Sequence, residues 1–109
     1  FYSKIAKNMN DISIENFLKI EKSNLQVIDI REKYEYDNGH IESLHIPMDE
    51  ILHSIHKIDT DKKVVIYCQS GRRAAATVYM LKKKHKFNNI FNLAGGYSDY
   101  IAFTLKSTI

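Results

Sequence analysis

Val64-Val65-Ile66-Tyr67 is an unbroken apolar run in which three of the four residues are β-branched. A strand with one face in water alternates apolar and polar side chains, whereas a continuous run suits a strand covered on both faces. Such strands sit inside parallel sheets with helices above and below. The residues that follow set the second constraint. Cys68-Gln69-Ser70-Gly71 leads into a stretch from Arg72 to Lys86 with Ala74, Val78 and Leu81 at helical spacing. Strand, short link and helix make a βα unit, so the fold class is α/β with a central, mostly parallel sheet.

The rest of the chain supplies similar pieces. Ser13 can cap a helix over Ile14 to Lys22, and Gln26 to Ile30 is a buried strand. Glu32 to Asn38 is a polar helical connection closed at Gly39. Ser43 to Ile46 is a strand stopped by Pro47, and Asp49 can cap a helix presenting Ile51, Leu52, Ile55 and Ile58 on one side. Ile90 to Leu93 is a further strand, and Gly95-Gly96 a loop. No repeat, low-complexity stretch or linker divides the chain, so residues 1–109 are expected to form one domain. At 44% hydrophobic and 27% charged residues the composition is that of a globular protein. No segment approaches the roughly 18 apolar residues of a membrane span, and the start lacks a signal-peptide layout. The expectation is therefore a cytoplasmic protein with no membrane partner.

Cys68 is the single cysteine, so it forms no internal disulfide and has no resolving thiol in the same chain. Anything it binds covalently must leave to another molecule. It stands at the carboxyl end of the central strand, where open α/β sheets bind ligands. The amides of Gln69, Ser70, Gly71, Arg72 and Arg73 are free to converge there, because the first turn of a helix has no internal acceptors for its N–H groups. Such donors make an anion cradle, and the same field favours the thiolate, the nucleophilic form of cysteine. The chain has 13 lysines and 3 arginines, yet Arg72 and Arg73 both fall within five residues of Cys68. The planar arginine fork suits a fixed oxyanion site, and Gly71 lets the loop curl. The bland alternative, an inert core thiol, leaves this spacing of glycine and arginine unexplained.

Other candidates have simpler readings. At strand period Asp29 and Arg31 face one side, where they can pair to brace the site or take part in its chemistry. His40 is either a general base or a loop histidine satisfying backbone groups. His53 and His56 could share a helix face, but no third ligand is near, so neither metal nor cofactor is expected. Lys82-Lys83-Lys84-His85-Lys86 complements a helix C-terminus or draws an acidic partner. No nucleic-acid partner is expected.

The segment from Cys68 to Ala75 resembles the active-site loop of the rhodanese (thiosulfate sulfurtransferase) family. The resemblance extends back to Asp29, Arg31, Glu35, Gly39, His40 and Ile41, and forward through Ile90 to Tyr100, covering about residues 10–102. It implies a rhodanese-like α/β domain of about five strands with helices on both faces. Cys68 would take sulfur from a thiosulfate-like donor as a persulfide and pass it to cyanide, a thiol or a protein acceptor. Gln69, Ser70, Gly71, Arg72 and Arg73 would form the persulfide-binding loop, with Asp29, Arg31, Gly39 and His40 as structural support. The chain departs from the family's pattern at Ser43-Leu44-His45, where a small pair is usual, and at Tyr97 and Tyr100, where tryptophan is common. Two other readings stay open: a non-catalytic binding module, and a cysteine phosphatase. Four residues between Cys68 and Arg73 make a ring smaller than the phosphatase loop, which has five.

Overall fold

In the computed structural model, which describes residues 10–107, five strands form one parallel sheet. They are β1 (Asp11–Ile12), β2 (Leu25–Asp29), β3 (Leu44–His45), β4 (Lys63–Tyr67) and β5 (Ile90–Leu93), in spatial order β1-β5-β4-β2-β3. The central strand is β4, paired with β2 from Leu25↔Lys63 to Asp29↔Tyr67 and with β5 from Val64↔Ile90 to Ile66↔Asn92. Its four apolar residues are all fully buried, the outcome that a continuous run demands.

Period-two alternation then divides the core. Val64, Ile66 and Cys68 join Ile28, Ile30, Val78 and Leu81 on one face of the sheet, while Val65 and Tyr67 join Ile12, Phe17, Ile41 and Leu93 on the other. The helices are α1 (Ile14–Leu18), α2 (Lys33–Asp37), α3 (Met48–Ile51), α4 (Arg72–His85) and α5 (Gly96–Ser107). The long helix α4 covers the first face with Ala74, Val78 and Leu81. Tyr97, Tyr100 and Phe103 of α5 pack on the second, where Tyr100 meets Phe17 of α1 edge to face at 6.3 Å. Helices therefore lie on both faces.

Element ends differ from the expectations in identifiable ways. Ser13 does cap α1, its Oγ accepting the Asn16 N–H at 3.1 Å, but the helix stops at Leu18 and Lys22–Asn24 forms a separate 3-10 turn. Of the next four residues only Ile20 packs against the core, while Lys19, Glu21 and Lys22 are exposed, too little burial to hold a longer helix. Strand β2 runs one residue earlier than expected, and β3 is limited to two residues. Pro47, not Asp49, is the N-cap of α3, as its fixed φ allows. The helix ends at Ile51, and Ile55–Lys57 is a 3-10 turn, so His53 and His56 do not share a helix face. Helix α4 ends at His85, with Lys86 left-handed at the C-cap. Gly96 opens α5 instead of belonging to a loop. No helix among the described residues is long and apolar enough to cross a membrane.

Candidate active site

Cys68 follows β4 directly, and its sulfur lies beneath the start of α4. Sγ accepts the Gly71 N–H at 3.1 Å and the Ala74 N–H at 3.3 Å. Ala74 is the third residue of α4, so its N–H is one of the donors without a partner inside the helix. Of the five amides expected to converge, Gly71 reaches the sulfur; Ala74 lies one residue beyond that window. Gly71 has φ 94° and ψ −8°, a left-handed conformation that lets the chain fold back over the thiol. Cys68 is nonetheless fully buried, with Ile66, Ala74 and Val78 in the same apolar cluster. The amides cover the polar side of the sulfur and the sheet core lies behind it.

The outer side of the loop is held by α5. Tyr97 N–H donates to the Cys68 carbonyl at 2.8 Å, and Ser98 N–H donates to the Gln69 carbonyl at 3.0 Å. This approach requires Gly96, whose φ is 63° and where a Cβ would run into the Cys68 carbonyl oxygen. Gly96→Ala is expected to destabilise the protein by about 1–3 kcal/mol, because the displaced atoms are backbone. The urea midpoint measures it, and an unshifted midpoint would contradict the close packing.

A buried charged network stands beside the loop. Asp29 Oδ1 accepts from the Arg31 N–H at 2.9 Å and from Nε at 3.1 Å, and Oδ2 accepts from Nη2 at 2.8 Å and from Tyr67 Oη at 2.7 Å. Arg31 Nη2 also donates to the Gly39 carbonyl at 2.8 Å, and Nη1 to Gln69 Oε1 at 3.0 Å. The Tyr97 ring lies 4.4 Å from the guanidinium carbon. Burial lowers the affinity of Arg31 for its proton, but hydrogen bonds and charge from Asp29 outweigh it and hold the group above its ordinary value. Burial, reinforced by Asp29, pushes the Tyr67 phenol far above its ordinary range. Tyr67 thus stays a neutral donor to Asp29.

The two loop arginines differ in surroundings. Arg73 forms a double hydrogen bond with Glu35, Nη1 to Oε1 at 3.0 Å and Nη2 to Oε2 at 2.9 Å, whereas Arg72 and Ser70 are exposed. Glu35 also accepts the Glu32 N–H at 2.9 Å, closing the capping box of α2. His40 is exposed, with Nδ1 2.9 Å from the Tyr36 carbonyl and its ring stacked 3.8 Å from that of Tyr36. His45, one of the departures from the family pattern, places Nε2 2.8 Å from the Arg31 carbonyl. The parts that sequence reasoning missed are the Ala74 N–H, the Tyr67 hydroxyl, Ser98, and the pairing of Glu35 with Arg73. The sequence singles out the helix over Glu32 to Asn38 and Glu35 itself, but nothing there points to Arg73 as the partner of Glu35.

Hydrogen bonding from Arg73, only partly offset by burial, holds the Glu35 carboxyl below its ordinary value of 4.5. A lowered folded-state value stabilises the protein above the unfolded value and is lost as pH falls through the folded one. Glu35→Gln is therefore expected to flatten the acid limb of the stability profile below about pH 4.5, by under about 1 kcal/mol for this partly exposed pair. Urea midpoints of both proteins at several acidic pH values check this; parallel limbs would contradict it.

The sequence matches the family model of the rhodanese-like domain over residues 17–103. This chain belongs to the rhodanese family. It is 30% identical over 105 residues to YrkF of Bacillus subtilis, which bears the name of a sulfur carrier protein, a match covering 94% of this chain and 56% of that one. It is 36% identical over 76 residues to YqhL of the same organism, covering 69% and 60% respectively. The chain thus spans little more than half the length of these curated relatives. A rhodanese-related protein of Thermoplasma volcanium superposes with a TM-score of 0.77 at 28% identity, covering 86% of this chain and 92% of that one. Membership in the rhodanese family carries sulfur-transfer chemistry as a general class.

Proposed function

We propose that the chain is a sulfurtransferase with Cys68 as nucleophile and sulfur carrier. The observation that carries this reading is the sulfur of the single cysteine accepting two N–H bonds at the start of α4. Those donors favour a negative sulfur at that position. With thiosulfate as donor, the thiolate attacks the outer sulfur. The donor's S–S bond breaks, sulfite departs with the electron pair, and Cys68 holds a persulfide anion. Cyanide, a thiol or a protein nucleophile then attacks the terminal sulfur, and the Cys68 thiolate returns.

Within this reading the backbone of Gln69 to Arg73 shapes the loop and Arg72, exposed at its rim, meets the anionic donor. Arg73 sets the loop's position through Glu35, and Asp29, Arg31, Gly39 and His40 support it. Because Cys68 is fully buried, the loop has to open for the donor to reach the sulfur. Dependence on a reduced thiol suits a reducing compartment such as the cytoplasm. The phosphatase reading is disfavoured, because the loop from Cys68 to Arg73 holds four residues instead of five and both Nη atoms of Arg73 already donate to Glu35.

Intact-mass measurement after exposure to thiosulfate tests the proposal. The expected result is a gain of one sulfur atom, removed again by cyanide. An unchanged mass with thiosulfate and also with a small-thiol persulfide would leave the binding-module reading in possession.

A further inference from the structure

Both ends of the side-chain amide of Gln69, the residue after the nucleophile, are engaged within the protein. Gln69 Oε1 accepts from Arg31 Nη1 at 3.0 Å, and Nε2 donates to Ser98 Oγ at 2.9 Å. Its carbonyl accepts the Ser98 N–H at 3.0 Å. One side chain thereby joins the loop to the buried guanidinium of Arg31 and to the first turn of α5. Arg31 itself cannot follow the loop, because Asp29 and the Gly39 carbonyl hold it.

We propose that Gln69 is a positioning residue, a latch between Arg31 and Ser98 that fixes the plane of the Cys68–Gln69 peptide and so aims the Gly71 and Ala74 N–H groups at the sulfur. The donor makes no contact with the Gln69 side chain; selection among donors falls to Ser70 and Arg72. The inference rests on the sulfurtransferase reading for its rate measurements but has a second readout that does not. The amide orientation follows from chemistry: only the oxygen can face a guanidinium, so the NH₂ group must face the Ser98 hydroxyl.

A latch and a donor contact differ in what their loss does. Gln69→Leu is expected to lower the maximal rate of persulfide formation about 10- to 100-fold, the scale of a displaced reacting group. The factor is the same for thiosulfate and for a neutral organic persulfide, and KM changes little for either. Ser98→Ala gives a smaller loss of the same kind, Ser98→Thr recovers most of it, and Gln69→Leu with Ser98→Ala is no worse than Gln69→Leu alone. The second readout is alkylation of Cys68 by iodoacetamide, followed by intact mass, where the same non-additive pattern is expected. A donor-dependent loss, a rise confined to KM, or additive effects in the double variant would overturn the latch. If wild-type protein takes up no sulfur while alkylation keeps the non-additive pattern, the sulfurtransferase reading fails and the latch stands. If neither readout responds to Gln69→Leu in a variant with unchanged circular dichroism, the latch fails.

Discussion

Serine in place of Cys68 is expected to abolish sulfur uptake and to lower turnover by about 10³-fold or more, the scale on which loss of a nucleophile acts. The chain has no other cysteine, so no second thiol can substitute and no disulfide is lost with the change. The fold is expected to survive. A serine oxygen occupies the same position and can accept the Gly71 and Ala74 N–H groups that now bond to sulfur, so the stability loss should stay within about 0.5–3 kcal/mol. What disappears is chemistry: a hydroxyl is far less acidic and less polarizable than a thiol, and the groups bonded at this position among the described residues are backbone N–H donors, which do not act as a base. Three measurements on the variant decide the matter: a thermal melt, intact mass after thiosulfate, and turnover with cyanide as acceptor. A folded Cys68→Ser protein that still turns over thiosulfate would place the reacting atom elsewhere.

The central strand was legible because burial on both faces leaves a direct trace, four apolar residues with no polar interruption. Counting onward at period two from Val64 and Ile66 also puts Cys68 on the core face. Its full burial is therefore legible in the same pattern, and it coexists with the N–H donors that the glycine and the helix start bring to the sulfur. The Asp29–Arg31 pairing was legible as geometry for the same reason, two residues at strand spacing. Strand β1 was not, since two residues carry no period and its pairing with Asn92 and Leu93 is fixed only once β5 is in place. Nor were the partners of the loop. Gln69 meets Ser98 across 29 positions, and Arg73 meets Glu35 across 38, distances over which local spacing says nothing. Residue types around the thiol could be read as chemistry, while the contacts that hold them needed the fold.

The same distinction governs what happens when Asp29 is replaced by alanine. The side chains of Asp29 and Arg31 are 0% and 2% exposed, so the variant leaves a buried guanidinium without its counter-charge. Breaking one side of such a pair costs about 3–5 kcal/mol, against a total of roughly 5–15 kcal/mol for a domain of ordinary stability. The loss should exceed that of any other single change in the network, because Tyr67 Oη also loses its acceptor. Asp29→Ala is expected to shift the urea midpoint strongly and to leave a large unfolded fraction at moderate temperature. Removing both charges, as in Asp29→Leu with Arg31→Met, eliminates the uncompensated ion and should recover much of the stability. Activity should not return with it, since Gln69 Oε1 and the Gly39 carbonyl would still lack the donor that Arg31 supplies. Midpoint and turnover measured on the single and double variants thus separate the two tasks of the pair. Recovery of both together would mean that the buried charges serve stability alone and that the loop is held by other contacts.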